Sequence, residues 1–350
     1  MGWQRVRRQA IEDLHPASFA VVMSTGICSL AAAFTGHAAV GWALFYLNIL
    51  CYGGLWGLTL LRLVLHSRRL WADFSSARSF GYLTTVAGTC VLGTQFVNLQ
   101  QDQRMASLLW VLGAVLWSGL LYGFFLQLIT RRHKPGADAD IHGGWLLAIV
   151  ATQSLSTLGT LIAPSWDGEG FRLLTLALWL AGCMLYLLLM PMILHRLLFF
   201  PVQAESLTPL YWINMGAIAI STLAGDLLIL HARSPWLQEL LPFLKGFTLF
   251  FWSGATWWIP LLIALGAWRH LYLHYPLSYS IQYWGMVFPL GMYTVCTFQL
   301  GRALDMPPLI RLAGVGFYIA IAAWLATALG GMGHLVRLLA TPGARNPGAS

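Results

Sequence analysis

Runs of about 20 apolar residues recur along the whole of this chain, and they restrict the folds open to it more than any other feature. A helix of about 20 residues crosses the roughly 30 Å of hydrocarbon in a bilayer. Only 9% of the 350 residues are charged, whereas soluble domains have about 25% charged residues. The sequence therefore predicts an all-α polytopic membrane protein.

Ten of these runs are long enough to be transmembrane helices, and they leave no room for a separate soluble domain. Residues 1–340 are therefore predicted to form one transmembrane domain. The Pro-, Gly- and Ala-rich segment 341–350 is predicted to be a disordered tail. The predicted spans are 17–36, 40–63, 80–98, 106–130, 143–162, 171–198, 209–231, 240–268, 280–300 and 312–338.

The positions of the basic residues predict the orientation. Ten crossings put both termini on one side, and 14 of the 20 Lys and Arg residues fall on that side. Cytoplasmic loops carry an excess of Lys and Arg, so both termini are predicted to be cytoplasmic and the protein to lie in the cell membrane. The same asymmetry explains the net charge of +8, and no nucleic-acid partner is predicted.

Polar residues and tryptophan are distributed unequally between the spans. The odd-numbered spans are richer in Ser, Thr, Asn and Gln, and the even-numbered spans contain most of the Trp. Polar side chains in a bilayer face the bundle interior, and bulky aromatic residues suit the lipid boundary. We therefore predict five helical hairpins, with odd-numbered helices lining a central pore and even-numbered helices outside.

Small and hydroxyl-bearing residues recur at helical spacing in the odd-numbered spans. Such faces suit a narrow, weakly polar path, and the alternative is that they only allow close helix packing. The Gly53-x-x-x-Gly57 and Gly119-x-x-x-Gly123 pairs, in even-numbered spans, are interpreted as packing contacts. The pore-lining candidates are Ser24, Thr25, Thr85, Gly88, Gln95, Thr152, Ser156, Asn214, Ser221, Gly285 and Gly291.

Phe288 and Pro289 lie together near the middle of the ninth span. Proline removes a backbone hydrogen bond and kinks a helix, which membranes tolerate beside protein or a water-filled path. Gly285 and Gly291 lie three residues to either side of Phe288 and are expected to leave open space on its face. We therefore predict that Phe288 and Pro289 form a gate, in which the Phe288 ring plugs the pore.

Asp226 is the one charged residue well inside an odd-numbered span. An intramembrane carboxylate is a functional candidate, here a proton relay. It also lies about five residues from the outer end of its span. The alternative is therefore a structural role, in which Asp226 reaches the interface or pairs with Arg233.

The sequence contains no motif for catalysis or for a metal. It has no Walker A, His-Glu-x-x-His or Gly-x-Ser-x-Gly sequence, and its histidines fall at span ends and in loops. The five cysteines form no Cys-x-x-Cys pair and are interpreted as buried small residues. We predict no catalytic residue, metal ion or cofactor.

Three stretches resemble the tellurite-resistance/dicarboxylate transporter family, which includes fungal malate and sulfite transporters and the plant slow-type anion channels. The first, from His15 to Gly26, is similar to the opening signature of that family. The others are the segment from Tyr211 to Ser221 and the segment from Tyr283 to Gly291, which look like its seventh and ninth helices. The family usually has Gly where this chain has Ser24.

The resemblance implies five helical hairpins around a pore, commonly in a homotrimer, with the phenylalanine at position 288 occluding the pore. The expected substrates are small anions, either C4-dicarboxylates such as malate and succinate or inorganic anions such as chloride, nitrate and sulfite. Tellurite resistance would be a phenotype of such transport. The alternatives are a proton-coupled dicarboxylate or sulfite carrier and, in another class, a membrane-embedded enzyme or sensor.

Overall fold

The structure, a computed structural model, describes residues 11–74, 76, 79–132, 134, 136, 141–166 and 168–340. All regular structure in this part of the chain is helical, so the all-α prediction is confirmed. The predicted tail 341–350 lies outside the described residues. The ten long helices are α1 Ala20–Phe34, α2 Ala38–Leu65, α3 Leu83–Gln95, α4 Gln103–Thr130, α5 Leu147–Ile162, α6 Glu169–Phe199, α7 Ile213–Leu230, α8 Leu241–Ala267, α9 Trp284–Ala303 and α10 Pro307–Ala340.

Four of the odd-numbered helices are preceded by a short 3₁₀ helix. Such turns are common at helix N-termini because they satisfy backbone groups that the first α-helical turn leaves free. They give each of these four helices a tighter first turn than an α-helix has. They are Ser79–Tyr82 before α3, Gly143–Leu146 before α5, Pro209–Trp212 before α7 and Ile281–Tyr283 before α9.

Seven helical segments of the described chain are long and apolar enough to cross a membrane. They include all five even-numbered helices, together with α5 and α7. Helices α1 and α3, with 15 and 13 residues, are shorter than the roughly 20 residues of an ordinary span. The protein is thus a multi-pass membrane protein, and the full count of ten crossings remains a prediction.

The odd-numbered helices contact one another in a closed ring. In order, α1 packs on α3, α3 on α5, α5 on α7, α7 on α9, and α9 on α1. Each even-numbered helix packs on the odd-numbered helix before it and on the one after it, and α10 completes the circuit by packing on α1. The chain therefore has an inner ring, the five odd-numbered helices, and an outer ring, the five even-numbered ones.

Burial differs sharply between the two rings. In the segments around α5 and α7, 100% and 94% of the residues in the most apolar stretch are buried. The corresponding shares are 17% for α2 and 28% for α4. Nearly all of the large exposed apolar side chains on the long helices belong to even-numbered helices. Because exposed apolar surface of this size suits lipid, the outer ring forms the exterior of the molecule.

The tryptophans of the even-numbered helices connect the two rings, so the expectation that they serve the lipid boundary is wrong for several of them. Trp110 and Trp179 are 7% and 0% exposed. An indole N–H is a donor that needs a partner when buried. The bonds are Trp110 to the Leu155 carbonyl, Trp117 to the Thr152 hydroxyl, Trp179 to the Ser221 carbonyl, Trp252 to the Thr297 hydroxyl and Trp324 to the Thr25 hydroxyl.

Candidate functional site

One cavity, of about 300 Å³, lies where the inner ring begins. Residues at or just before the start of every odd-numbered helix line it, so five chain segments far apart in sequence meet at one point. We call this end, at which the odd-numbered helices begin, the N-terminal end of the ring. The lining includes His15 before α1, Gly81 before α3, His142 before α5, Thr208 before α7 and Gln282 before α9, with Arg196 from α6.

Two histidines hold the chain where it enters this cavity. His15 Nδ1 accepts a hydrogen bond from the Ala17 N–H at 3.1 Å, and His142 Nδ1 accepts one from the Gly144 N–H at 3.0 Å. Because Nδ1 is the acceptor in both, each neutral ring carries its proton on Nε2. The sequence signal was a histidine directly before Pro or Gly at the start of an odd-numbered span, and we did not single it out as a site.

Arginine–tyrosine pairs fix the N-terminal end of the ring. Arg62, at the end of α2, donates to the Leu14 carbonyl at 2.8 Å and to the Tyr82 hydroxyl at 3.2 Å. It therefore links the segment entering α1 to the start of α3. The guanidinium is 5% exposed and also pairs with Asp73 at 2.6 Å.

Arg196, at the end of α6, makes the equivalent links two hairpins further along the chain. It donates to the Ile141 carbonyl at 2.9 Å, directly before His142, and to the Tyr211 hydroxyl before α7. Arg196 is 7% exposed. We name these two arrangements the Arg62 clamp and the Arg196 clamp. Sequence reasoning missed both, because it counted these arginines only as orientation signals.

Phe288 is 1% exposed and lies within α9, between its neighbours α1 and α7 in the ring. The expectation of open space beside it is wrong. A Cβ added at Gly285 would meet Leu210 at 3.1 Å, and one at Gly291 would meet Ile27 at 2.7 Å. Neighbouring segments pack directly on these two glycines, so a larger residue would not fit at either position. Whether Phe288 occludes a pore remains a prediction.

Pro289 packs against α7, since a Cβ at Gly216 would lie 2.7 Å from the proline ring. On the other side, the Ser24 hydroxyl of α1 donates to the Trp284 carbonyl at 2.6 Å. That carbonyl lies in the first turn of α9, just before Phe288. Ser24, the departure from the family pattern, therefore joins α1 to the helix that carries the predicted gate.

Four of the pore-lining candidates direct their polar groups toward the outer ring. The Thr25 and Thr152 hydroxyls accept from Trp324 at 3.1 Å and Trp117 at 2.8 Å. Gln95 accepts from Asn48 of α2 at 2.7 Å, and Ser156 donates to the Thr175 carbonyl of α6 at 2.8 Å. These bonds tie helices together, which is the alternative that the sequence left open.

Three further pore-lining candidates make their contacts within the inner ring, either inside one chain segment or between two odd-numbered helices. Thr85 and Ser221 donate to carbonyls of their own helices, Tyr82 and Ala217. A Cβ at Gly88 would lie 3.3 Å from Val22 of α1, so this glycine lies at the contact between α1 and α3.

Other polar atoms of the inner ring are buried without a hydrogen-bond partner among the described residues. Both amide atoms of Asn214, the hydroxyl of Thr157 and the amide nitrogen of Gln95 are of this kind. A buried polar group without a partner costs about 1–3 kcal/mol, so each such group calls for a water or an ion. Asn214 was a pore-lining candidate, and Thr157 is added by the structure.

Asp226 is fully buried in α7, with 0% of the residue exposed. Neither carboxylate oxygen has a hydrogen-bond partner among the described residues, so the interfacial pairing with Arg233 does not occur. Cys296 of α9 is close enough to interact with it electrostatically. Toward the outer ring, a Cβ at the adjacent Gly225 would contact the Thr248 hydroxyl, which is also without a partner.

Basic residues gather at the opposite, C-terminal end of the ring. His231 follows the last residue of α7, and its Nδ1 lies 2.9 Å from the Leu227 carbonyl. Burial lowers the pKa of His231, and the charges of Arg233 and Arg302 lower it further. The imidazole is therefore neutral near pH 7, and the positive charge at this end comes from the arginines.

Comparison with known proteins gives consistent results. A family model described as "SLAC1: Voltage-dependent anion channel" matches residues 13–332. An uncharacterised transporter of Methanocaldococcus jannaschii is 26% identical over 327 residues, which are 91% of this chain and 93% of that protein. The sulfite efflux pump SSU1 of Trichophyton rubrum is 24% identical over 334 residues, covering 85% and 84%. An uncharacterised membrane protein of Mycobacterium tuberculosis is 34% identical over 159 residues, covering 45% and 81%.

Proposed function

This chain belongs to the SLAC1 family of voltage-dependent anion channels, and on that premise we propose that it transports small anions along the axis of the inner ring. Its substrates are inorganic anions such as sulfite, chloride or nitrate, or C4-dicarboxylates such as malate or succinate. The Trichophyton rubrum relative is named a sulfite efflux pump, which supports sulfite as the first anion to test.

The observation that carries this proposal is the cavity at which all five odd-numbered helices begin. The N-terminus of a helix bears a partial positive charge, equivalent to roughly half an elementary charge. Five such ends around one cavity attract anions and repel cations. We call this cavity the proposed mouth of the pathway. It attracts anions without a lysine buried inside the pathway, so an anion that enters is bound weakly and can leave again.

Beyond this mouth, the pathway follows the unpartnered polar atoms of the inner ring. Asn214 and Thr157 offer an amide and a hydroxyl that have no hydrogen-bond partner among the described residues. Such neutral donors bind an anion weakly and release it readily. Phe288 is buried on α9, which packs on α1 and α7, and in the proposed mechanism its ring closes the path while Pro289 sets the position of the helix.

The proposed setting is a cell membrane, with both termini in the cytoplasm and three copies in the assembly. The excess of basic residues on the side of the termini supports the orientation. In that orientation, the cavity at the N-terminal end of the ring opens to the cytoplasm. A tellurite-resistance phenotype would follow from transport of oxyanions.

A proton-coupled carrier is the second candidate, and Asp226 favours it. A carboxylate that is fully buried and has no partner is costly when charged. A proton on Asp226 removes that charge from beside the anion path. Coupled movement of a proton and an anion would then depend on this residue. No described feature supports the remaining alternatives, a membrane-embedded enzyme or a sensor.

The test is anion flux by the purified protein in liposomes. A panel of sulfite, chloride, nitrate, malate and succinate is measured by radiotracer or electrode, with potassium as the cation control. We expect at least one anion to cross faster than in empty liposomes, and potassium not to. Accumulation against a gradient, driven by an imposed pH difference, identifies the carrier; absence of flux for every anion contradicts the proposal.

A further inference from the structure

A third arginine lies in the position of the clamp residues but has no clamp. Arg269 lies in the π-helical turn Trp268–Tyr272 that directly continues α8, much as Arg62 and Arg196 lie near the ends of α2 and α6. It is 9% exposed. Among the described residues its Nε has no hydrogen-bond partner, which is also true of the Nε of Arg62. The difference is that no described residue accepts from the terminal nitrogens of Arg269, whereas those of Arg62 and Arg196 have acceptors. Its guanidinium lies over the Tyr275 ring, whose centre is 4.3 Å from Cζ, and its carbonyl accepts from the Tyr275 N–H at 3.1 Å.

The desolvation cost of the Arg269 guanidinium is not offset by the kind of hydrogen bonds and ion pair that Arg62 and Arg196 have. Removing a charge from water costs several kcal/mol unless hydrogen bonds or an opposite charge replace the lost solvent. Arg62 has Asp73, and Arg196 has a carbonyl and a tyrosine hydroxyl. A cation–π contact offsets part of this cost and satisfies none of the five N–H donors. None of the described residues supplies an acceptor to the Arg269 side chain, and an anionic group bound beside it would supply one.

Arg269 lines a second cavity, of about 310 Å³. It shares Thr208 with the cavity lined by His15 and His142 but is otherwise formed by different residues. The wall is mainly apolar, formed by residues such as Trp212, Leu262 and Met286. Two of its apolar residues face the exterior, since Ile263 is 57% and Leu277 77% exposed. In a protein whose exterior faces lipid, a cavity bounded by such residues is open to the bilayer.

We infer that this cavity binds an anionic phospholipid from the leaflet on the side of the amino terminus. The phosphate accepts hydrogen bonds from Arg269, and an acyl chain lies along Ile263 and Leu277. Charge and shape both favour this occupant, because the cavity offers a guanidinium with no acidic partner among the described residues and an apolar wall open to lipid. A small inorganic anion would leave that wall empty.

The test measures lipid retention by the purified full-length protein with native mass spectrometry. Phosphatidylglycerol is the probe, phosphatidylcholine the neutral control and inorganic phosphate the free anion. Arg269→Gln removes the charge. Gly266→Leu fills the cavity while keeping the charge, because a Cβ at Gly266 meets nothing within 4 Å. The matched controls are Arg68→Gln, an exposed cation, and Gly246→Leu, an open glycine on the same helix.

We expect the wild-type protein to retain phosphatidylglycerol in preference to phosphatidylcholine. A basic residue near anionic lipid contributes about a fivefold gain in affinity, so Arg269→Gln should weaken retention by about that factor. Gly266→Leu should weaken it as well, and both controls should leave it unchanged. If Arg269→Gln does not fold, Gly266→Leu decides the question.

Equal retention in the wild type and in a folded Arg269→Gln or Gly266→Leu variant overturns the inference. Stabilisation by inorganic phosphate as large as that by phosphatidylglycerol overturns it too, because the site then takes a free anion. So does a change of oligomeric state in Gly266→Leu without any lipid effect, since a second copy then covers the cavity. These readouts need no transport, so their failure leaves the proposed anion flux untouched.

Discussion

The Phe288 ring is held in place by close packing around its helix. It is 1% exposed, and its flanking glycines are in contact with α1 and with the segment leading into α7. A side chain held so closely cannot rotate away without movement of α9. The gate we propose is therefore a ring whose position depends on its helix, and Ser24 and Gly216 contact that helix on either side of it.

Replacing Phe288 with Ala should raise anion flux. Loss of the ring removes a steric barrier, and every 1.4 kcal/mol of barrier corresponds to about a tenfold change in rate, so we expect a gain of about tenfold. Flux is measured in liposomes and normalised to folded protein, because truncating a buried Phe costs about 3–5 kcal/mol of stability.

Phe124→Ala is the matched control for this prediction. Phe124 is also 1% exposed, but it lies on α4 in the outer ring. It loses the same atoms from the core without opening the proposed path. Equal flux in Phe288→Ala and Phe124→Ala would contradict the gate.

Asp226 tests the choice between channel and carrier. Asparagine has nearly the same shape but cannot exchange a proton. If uptake is coupled to protons, Asp226→Asn should abolish accumulation driven by an imposed pH gradient while leaving downhill flux. The control is Asp305→Asn, which removes an exposed carboxylate outside the helices. Gradient-driven uptake that survives in Asp226→Asn would exclude Asp226 as the proton site.

Between the elements, the Arg62 and Arg196 clamps explain how short odd-numbered helices are held in register. Each clamp joins the segment entering one odd-numbered helix to the start of the next, through an arginine from the intervening even-numbered helix. Hydrogen bonds to charged groups are worth roughly 1.5–3 kcal/mol, about twice the value of neutral ones. The clamps thus set the spacing of helix starts around the cavity.

Tyr211→Phe should lower the thermal stability of the protein. It removes the hydroxyl that accepts from Arg196 and leaves a buried donor without that partner, at a cost of roughly 1.5–3 kcal/mol. Tyr46→Phe, at a tyrosine that is 55% exposed on α2, is the control. The unfolding midpoint in detergent is compared for the two variants. Equal midpoints would show that the clamp contributes nothing to stability.

For the whole molecule, the outer surface offers a place for copies of the chain to meet. The glycine pairs of α2 and α4 were interpreted as packing contacts, but a Cβ at Gly53, Gly57, Gly119 or Gly123 meets nothing within 4 Å in this chain. Both helices pack on α3, so the two pairs lie on neighbouring parts of the exterior. Small residues let membrane helices approach closely, and we predict that the subunits of the proposed trimer meet there.

Gly57→Leu should therefore shift the purified protein from trimer toward monomer, because a leucine side chain prevents close approach of the helices. The mass of the protein is measured by light scattering after size exclusion in detergent. Gly314→Leu on α10, another open glycine, is the control. Retention of the trimer in Gly57→Leu would exclude this face as the interface.

The sequence by itself determined the helical class, the membrane setting and the contrast between odd- and even-numbered helices. Hydropathy and helical periodicity are properties of neighbouring residues, so they can be read without knowing how helices meet. Asp226 could likewise be recognised, because a charge inside an apolar run is visible locally. The same local pattern also made Gly285 and Gly291 look like open space.

Only the tertiary structure decided what each of these side chains contacts. The Ser24 hydroxyl meets a carbonyl 260 positions away in the chain, and the Arg196 clamp connects three separate segments. The cavity at the N-terminal end of the ring needs five helix starts in one place. Such contacts depend on helix order, tilt and rotation, which packing of the complete chain sets and which no local pattern encodes. The isolation of Asp226 and of Arg269 was invisible in the sequence for the same reason.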